Sequence, residues 1–256
     1  MESRNIPGDY YKERSGEALL NANKKLNLLI QITRHDIRSH LRQIGGFAEL
    51  ARTLEEDPEV RRYLAKIGEL VAASNRIIDF SQDYQNIGLA PPSWQKLSDV
   101  IRGSLGMVPF IPVPVLYGVE GIEVFADPLL PAVFRNIFEN AIRHGQKTTL
   151  MRISFRKFTE ELVLIIEDDG IGLPSEKKSR IFQQDHRENG KNGLFLSRQI
   201  LDITGISIQE AGQAGHGARF EIAVPEGSYR MQQSSGDVVP VQHIGAYLAP
   251  PDTVPD

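Results

Sequence analysis

The stretch Leu162-Val163-Leu164-Ile165-Ile166-Glu167-Asp168-Asp169-Gly170-Ile171-Gly172 decides the fold class. Leu162 to Glu167 is strand-sized and rich in branched residues, so it reads as a β segment. Its acidic residues therefore sit at a strand end. The two glycines that follow let the backbone turn sharply or approach a ligand. A lone D-x-G-x-G also describes many ordinary turns, so its meaning depends on its neighbours.

Outward from there, Thr149 to Phe155 is a second strong β segment, with strands expected at Val113 to Gly118, Ile122 to Phe125, Ile206 to Glu210 and Arg219 to Val224. Helices are expected at Leu97 to Leu105, at Pro128 to Arg143, and in a segment ending with Gln199 to Thr204. This mixture predicts an α/β sandwich over residues 89–229, entered through the linker Ala90-Pro91-Pro92. From Tyr229 the composition turns polar and loses any period, and residues 230–256 are expected to be a disordered tail.

Upstream the period changes. Leu26, Ile30, Ile37, Leu41 and Ile44 recur in a seven-residue pattern on a helix running from Ser15 to about Phe47, and Phe47, Leu50 and Leu54 carry it past Gly45-Gly46. Asp57 is a good N-cap and Pro58 suits a first helical position, so a second helix starts there, carries Val60, Leu64, Ile67, Val71, Ile77 and Ile78, and ends near Gly88. Residues 17–88 thus form a helical hairpin behind a short segment, residues 1–16. A hairpin with an apolar stripe predicts a dimeric four-helix bundle, so the fold class is α+β in two domains.

Composition agrees with a globular chain. It has 256 residues, 41% hydrophobic and 24% charged, room for one large or two small domains. No apolar run approaches the roughly 18 residues of a membrane span, and Met1 to Pro7 offers no apolar signal region. No direct membrane insertion is expected. Zero cysteines excludes disulfides and thiol catalysis, and a net charge of −4 is a poor footprint for nucleic acid or anionic lipid. A cytoplasmic protein is expected.

On the first helix His35 lies about 160° from Ile37, away from the stripe. Leu28 and Ile32 share its face, which suits docking of another protein. Asp36 places a carboxylate beside the imidazole, and Ser39 a hydroxyl one turn later. A carboxylate that holds one ring nitrogen protonated leaves the other as a nucleophile. His35 and His40 are five apart, which argues against zinc. Asn136, Asn140, Arg143 and His144 line one face of a later helix, where oxygen ligands for Mg²⁺ and a cation for phosphate would give such a stripe a purpose. Gly190-Lys191-Asn192-Gly193-Leu194 opens another helix, whose free N–H groups suit phosphate oxygens, and Gly215-His216-Gly217 precedes the last strand.

The order and spacing of these segments resemble the sensor histidine kinase family across residues 17–226. His35-Asp36 resembles its H-box and Asn136 to His144 its N-box. Asp168 to Gly172 and Gly190 to Leu196 resemble its two glycine boxes, and Ile181-Phe182 its F-box. The H-D-I-R variant with Gly193-Leu-Phe-Leu-Ser-Arg is most similar to kinases common in methanogenic archaea. The resemblance implies a HisKA-like hairpin and a Bergerat-type ATPase domain, with ATP and Mg²⁺ as cofactors and a homodimer. It implies His35 as phospho-acceptor and Asp36 as its general base. Asn140 would hold Mg²⁺, with Asn136 and Glu139 near metal and phosphates. Arg143 would touch phosphate, His144 flank the nucleotide, and Asp168 accept from the adenine amino group. Gly170, Gly172, Lys191, Gly193 and Leu194 would complete the nucleotide site. The phosphoryl group would pass to an aspartate of a response-regulator receiver domain.

Departures accompany the resemblance. His40 stands where the family usually has proline, and Ser39 where it has Thr or Asn for dephosphorylation. Phe195 and Lys191 occupy positions of a glycine-rich pattern, and the lid, about Gln183 to Asn192, is short. With so few residues before the hairpin, input from a separate sensor protein, or from a longer chain of which this is the catalytic end, is expected. The alternative is a weakly active or non-enzymatic phosphotransfer or docking module with a degenerate nucleotide site; another ATPase of the same fold is the remaining rival.

Overall fold

The computed structural model describes residues 8–108, 111–183 and 192–232, with side chains from residue 25 onward. Two helices open it, α1 (Gly8–Leu54) and α2 (Pro58–Asn86). The α2 start is set as the sequence predicts: Asp57 Oδ1 accepts the Glu59 N–H at 2.8 Å, its carbonyl accepts the Arg61 N–H at 3.0 Å, and Pro58 occupies the first turn, where its missing N–H costs nothing. Gly45 stays helical because it lies against α2, where a Cβ would already touch Val71 Cγ1 at 3.4 Å. By contacts the chain divides within α2, into Met1–Asp79 and Phe80–Asp256.

In the first unit the expected stripe is split. Ile30 and Leu41 are half-buried, with Leu64, Val71 and Ile78 on the facing side of α2, whereas Leu26, Ile37 and Ile44 remain 55%, 44% and 49% exposed. Arg38 Nη2 reaches Asp79 Oδ1 at 2.6 Å across the hairpin. The helix continues unbroken through His40.

The second unit follows as β1 (Ser93–Lys96), α3 (Leu97–Met107), β2 (Val115–Tyr117), β3 (Ile122–Ala126), α4 (Leu130–His144), β4 (Met151–Lys157), β5 (Glu161–Asp168), α5 (Ser175–Lys178), α6 (Gly193–Asp202), β6 (Ser207–Glu210), β7 (Arg219–Pro225) and β8 (Tyr229–Met231). A five-stranded sheet runs in the order β2-β4-β5-β7-β6, parallel only at β2-β4. The central strand β5 is buried on both faces from Leu162 to Ile166, which explains its unbroken apolar run. On β7 only alternate residues, Phe220, Ile222 and Val224, are buried. Against these pack Leu97 and Ile101 of α3, Phe134, Ile137 and Phe138 of α4, and Leu196 and Ile200 of α6. This is a two-layer sandwich.

Two strands depart from the sequence reading. β1 follows the Pro91-Pro92 linker and pairs antiparallel with β3. The expected tail begins with an ordered strand instead: β8 adds to β3 with Val124 opposite Tyr229 and Ile122 opposite Met231. Arg230 pairs there with Glu123, and its guanidinium lies 4.4 Å from the Trp94 ring centre. Residues 233–256 lie outside the described residues.

Trp94 is the chain's single tryptophan, so it reports on β8. Arg230→Ala is expected to shift Trp94 emission and to lower stability by about 1 kcal/mol, through loss of a partly exposed cation–π contact and an ion pair. Unchanged emission and thermal midpoint would show that β8 does not depend on Arg230.

Candidate functional site

The α4 helix is positioned from its first residue. Asp127 is buried, and its Oδ1 accepts the Leu129 N–H at 2.8 Å while Oδ2 accepts the Gly88 N–H at 3.1 Å. Arg135 Nη2 meets Asp83 Oδ2 at 2.5 Å, tying the end of α2 to α4 within the second unit. From α4, Asn136 points into the protein. It is buried, and its Nδ2 donates to the Gly193 carbonyl at 2.9 Å and to Ser197 Oγ at 3.2 Å. Its amide nitrogen is therefore committed to α6. A Cβ at Gly193 would come within 3.1 Å of Asn136 Cγ, so glycine lets the first turn of α6 rest on this amide. Leu194 is buried beneath that turn.

Glu139 and Asn140 are half-buried one turn beyond Asn136. Glu139 Oε2 lies 3.5 Å from Arg143 Nη2. Arg143 and His144, at the end of α4, are exposed. The α6 helix opens beside this polar stripe without a side-chain cap hydrogen bond, and helix N-termini in general suit anions. Lys191 lies outside the described residues.

At the end of β5, Asp168 Oδ1 accepts N–H bonds from Gly170 at 2.9 Å and Ala218 at 3.2 Å. These take one oxygen and leave Oδ2 for a ligand. Burial raises the Asp168 pKa, partly offset by the two N–H donors and reinforced by the Asp169 and Glu210 carboxylates. Asp169 turns the other way: its Oδ1 accepts from the Thr149 and Leu150 N–H groups at 2.7 and 3.0 Å, and Oδ2 from the Thr149 hydroxyl. Burial there opposes the charge, but these donors outweigh it and hold the Asp169 carboxyl below its ordinary range.

The glycines serve backbone against backbone. A Cβ at Gly170 would meet Gly145 Cα at 2.7 Å, one at Gly172 would meet the Gly217 carbonyl at 2.6 Å, and one at Gly217 would lie 1.8 Å from the Asp168 carbonyl oxygen. Gly170 and Gly172 thus brace the Asp168 turn. Gly145, Gly212, Glu210 and Lys178 complete this arrangement and carry no signal in a single sequence, because their partners are distant along the chain.

In the first unit His35 is 77% and Asp36 63% exposed, with His35 Nδ1 3.3 Å from Asp36 Oδ1. The continuous helix puts Ser39 one turn from His35.

Residues 127–228 match the family described as histidine kinase-, DNA gyrase B-, and HSP90-like ATPase. The chain is 26% identical over 227 residues to the sensor protein KdpD of Escherichia coli, covering 78% of this chain and 24% of KdpD. It is 27% identical over 215 residues to the sensor histidine kinase AruS of Pseudomonas aeruginosa, covering 73% of this chain and 21% of AruS. It thus spans about a quarter or less of the length of these relatives. Its fold is similar to that of full-length ShkA, solved in complex with AMPPNP, with a TM-score of 0.54 and 16% identity over 80% of this chain and 46% of ShkA. Over most of its length the chain is thus similar to sensor histidine kinases, and residues 127–228 match an ATPase domain of the kind they share with DNA gyrase B and HSP90.

The two neighbouring aspartates predict opposite pH effects. The raised Asp168 pKa contributes stability below about pH 4, the ordinary carboxyl value, that is lost as pH rises through the folded value. The lowered Asp169 pKa contributes stability above that value, lost as pH falls through the folded one. In thermal melts between about pH 3 and 7, Asp168→Asn should gain on wild type as pH rises and Asp169→Asn should fall behind. Parallel curves for the two variants would contradict these assignments.

Proposed function

We propose that this chain is the transmitter part of a histidine kinase that transfers the γ-phosphoryl group of ATP to His35 and then to an aspartate of a response-regulator receiver domain. The observation that carries this is the exposed His35, with Nδ1 beside Asp36, on a helical hairpin in the same chain as an ATPase-family domain. With Asp36 holding the proton at Nδ1, the lone pair at Nε2 attacks phosphorus as the bond to ADP breaks. The imidazolium that results keeps its Nδ1 proton against the Asp36 carboxylate.

On the nucleotide side, Asp168 Oδ2 would accept from the adenine amino group. The α6 N-terminus and Arg143 suit phosphate oxygens, and His144 the flank of the nucleotide. Gly193 and Leu194 form that first turn, and Lys191 belongs to the adjoining segment. Half-buried Glu139 and Asn140 supply hard oxygen donors that fit Mg²⁺, which would neutralise phosphate charge when bound. Asn136 donates from its amide nitrogen to α6, which orients its Oδ1 carbonyl, the atom it would offer near metal and phosphates. Ser39 stands where its hydroxyl could orient a dephosphorylating water.

A homodimer would cover the exposed apolar stripe of the hairpin. Arg34 Nη1 and Asn75 Oδ1 are also buried there without hydrogen-bond partners among the described residues. Input would come from a separate sensor protein or a preceding domain, and the site of action would be the cytoplasm. No described helix is long and apolar enough to cross a membrane.

Incubation with γ-labelled ATP and Mg²⁺ is expected to give acid-labile, base-stable label that disappears in His35→Gln. Asp168→Ala should weaken ATP binding by about tenfold to a hundredfold, the loss of a hydrogen bond to a charged group. Measurable ATP binding with label retained in His35→Gln would move the acceptor elsewhere. No ATP binding at all would leave only a relay or docking role.

A further inference from the structure

Glu210 ends β6 with a carboxylate whose side chain is 0% exposed. Such a group is costly to bury unless it is paired and hydrogen-bonded, and here it is both. Its Oε1 accepts from the Gly212 N–H at 3.0 Å and from the Arg219 N–H at 3.2 Å. These donors stand at the two ends of the loop 211–218. The Ala211 N–H, donating to the Arg219 carbonyl at 2.8 Å, closes the same neck. Oε2 lies 2.9 Å from Lys178 Nζ, the last residue of α5. The Lys178 ammonium also donates to the Gly212 carbonyl, so one ion pair fastens α5 to the neck of the loop.

The loop closed in this way grips the Asp168 turn. Ala218 donates to Asp168 Oδ1 and accepts the Asp168 N–H at 3.0 Å, and Gly215 donates to the Ile171 carbonyl at 2.7 Å. An apolar side chain at 210 would fill the buried side of β6 equally well. It would offer no acceptor to Gly212 and Arg219. The carboxylate therefore does something that packing alone does not require.

We propose that Glu210 and Lys178 are positioning residues of the nucleotide site: Glu210 clamps the loop so that its N–H group holds Asp168 Oδ1 and leaves Oδ2 for the adenine amino group, and Lys178 neutralises the clamp and couples α5 to it. This inference rests on the nucleotide-site reading given above and assigns two residues to it that touch no ligand themselves.

The test uses the full chain and two double variants that leave no buried charge unpaired. Lys178→Met/Glu210→Leu removes both charges and the acceptor. Lys178→Met/Glu210→Gln removes the charges and keeps a carbonyl acceptor. The first should raise the Kd for ATP, and KM in autophosphorylation, by about tenfold, with kcat little changed, as expected for loss of a hydrogen bond that aligns a charged group. Its Gly212 and Arg219 amides should exchange hydrogen faster while the thermal midpoint holds. The second should restore ATP affinity to within about threefold of wild type, because the acceptor remains. Glu210→Ala in the same Lys178→Met background is the smaller alternative and carries the same expectation. Wild-type affinity in the Leu variant, or equal weakness in the Leu and Gln variants, overturns the clamp alone. Failure of wild type to bind ATP overturns the nucleotide-site reading itself, and the clamp with it.

Discussion

The second unit turns on a bond that few side chains could make: one oxygen of Asp168 shared between the N–H groups of Gly170 and Ala218. Those donors belong to different segments, the turn after β5 and the strap before β7. Bringing both to one carboxylate forces backbones within van der Waals distance, and this is why Gly170, Gly172 and Gly217 are glycines. Gly217, with φ +95, needs glycine on conformational grounds as well. The raised pKa of Asp168 is a consequence of the same crowding. Two N–H donors on one oxygen fix the orientation of the carboxylate, and fixed orientation is what selective hydrogen bonding requires.

The sequence was legible where local chemistry decides the outcome. Leu162 to Ile166 could be read because a central strand buried on both faces must be apolar throughout. Asp57-Pro58 could be read because a cap and a first-turn proline act within a few residues. Strands β1 and β8 could not. Each has three or four residues, and each exists only through pairing with β3, which no local pattern announces. In β8 the stabilising contacts of Arg230 reach Glu123 and Trp94 from the far end of the domain.

Residue type and residue role separated in the same way at the site. A polar stripe on α4 was visible, but Asn136 faces α6 and not the open side. The sign is its burial, which depends on where α6 packs. Glu210 and Lys178 look unremarkable in sequence, one acid ending a strand and one base in a lysine pair. Only the fold brings a buried carboxylate and two backbone donors to the neck of one loop.

The two units differ in how complete they are. Strand β5 alone, from Leu162 to Ile166, contributes five buried apolar residues, and α3, α4 and α6 bury more. Among the described side chains before Phe80 the buried apolar residues are Ala48 and Ile78. Helices gain most of their stability from packing an apolar face, and here Leu26, Ile37 and Ile44 on α1, with Tyr63, Ile67 and Leu70 on α2, are exposed. A closed two-fold assembly would bury one such surface against its own copy. His35 lies on a different side of α1 from Ile37 and Ile44, so an association through that stripe would leave the imidazole exposed.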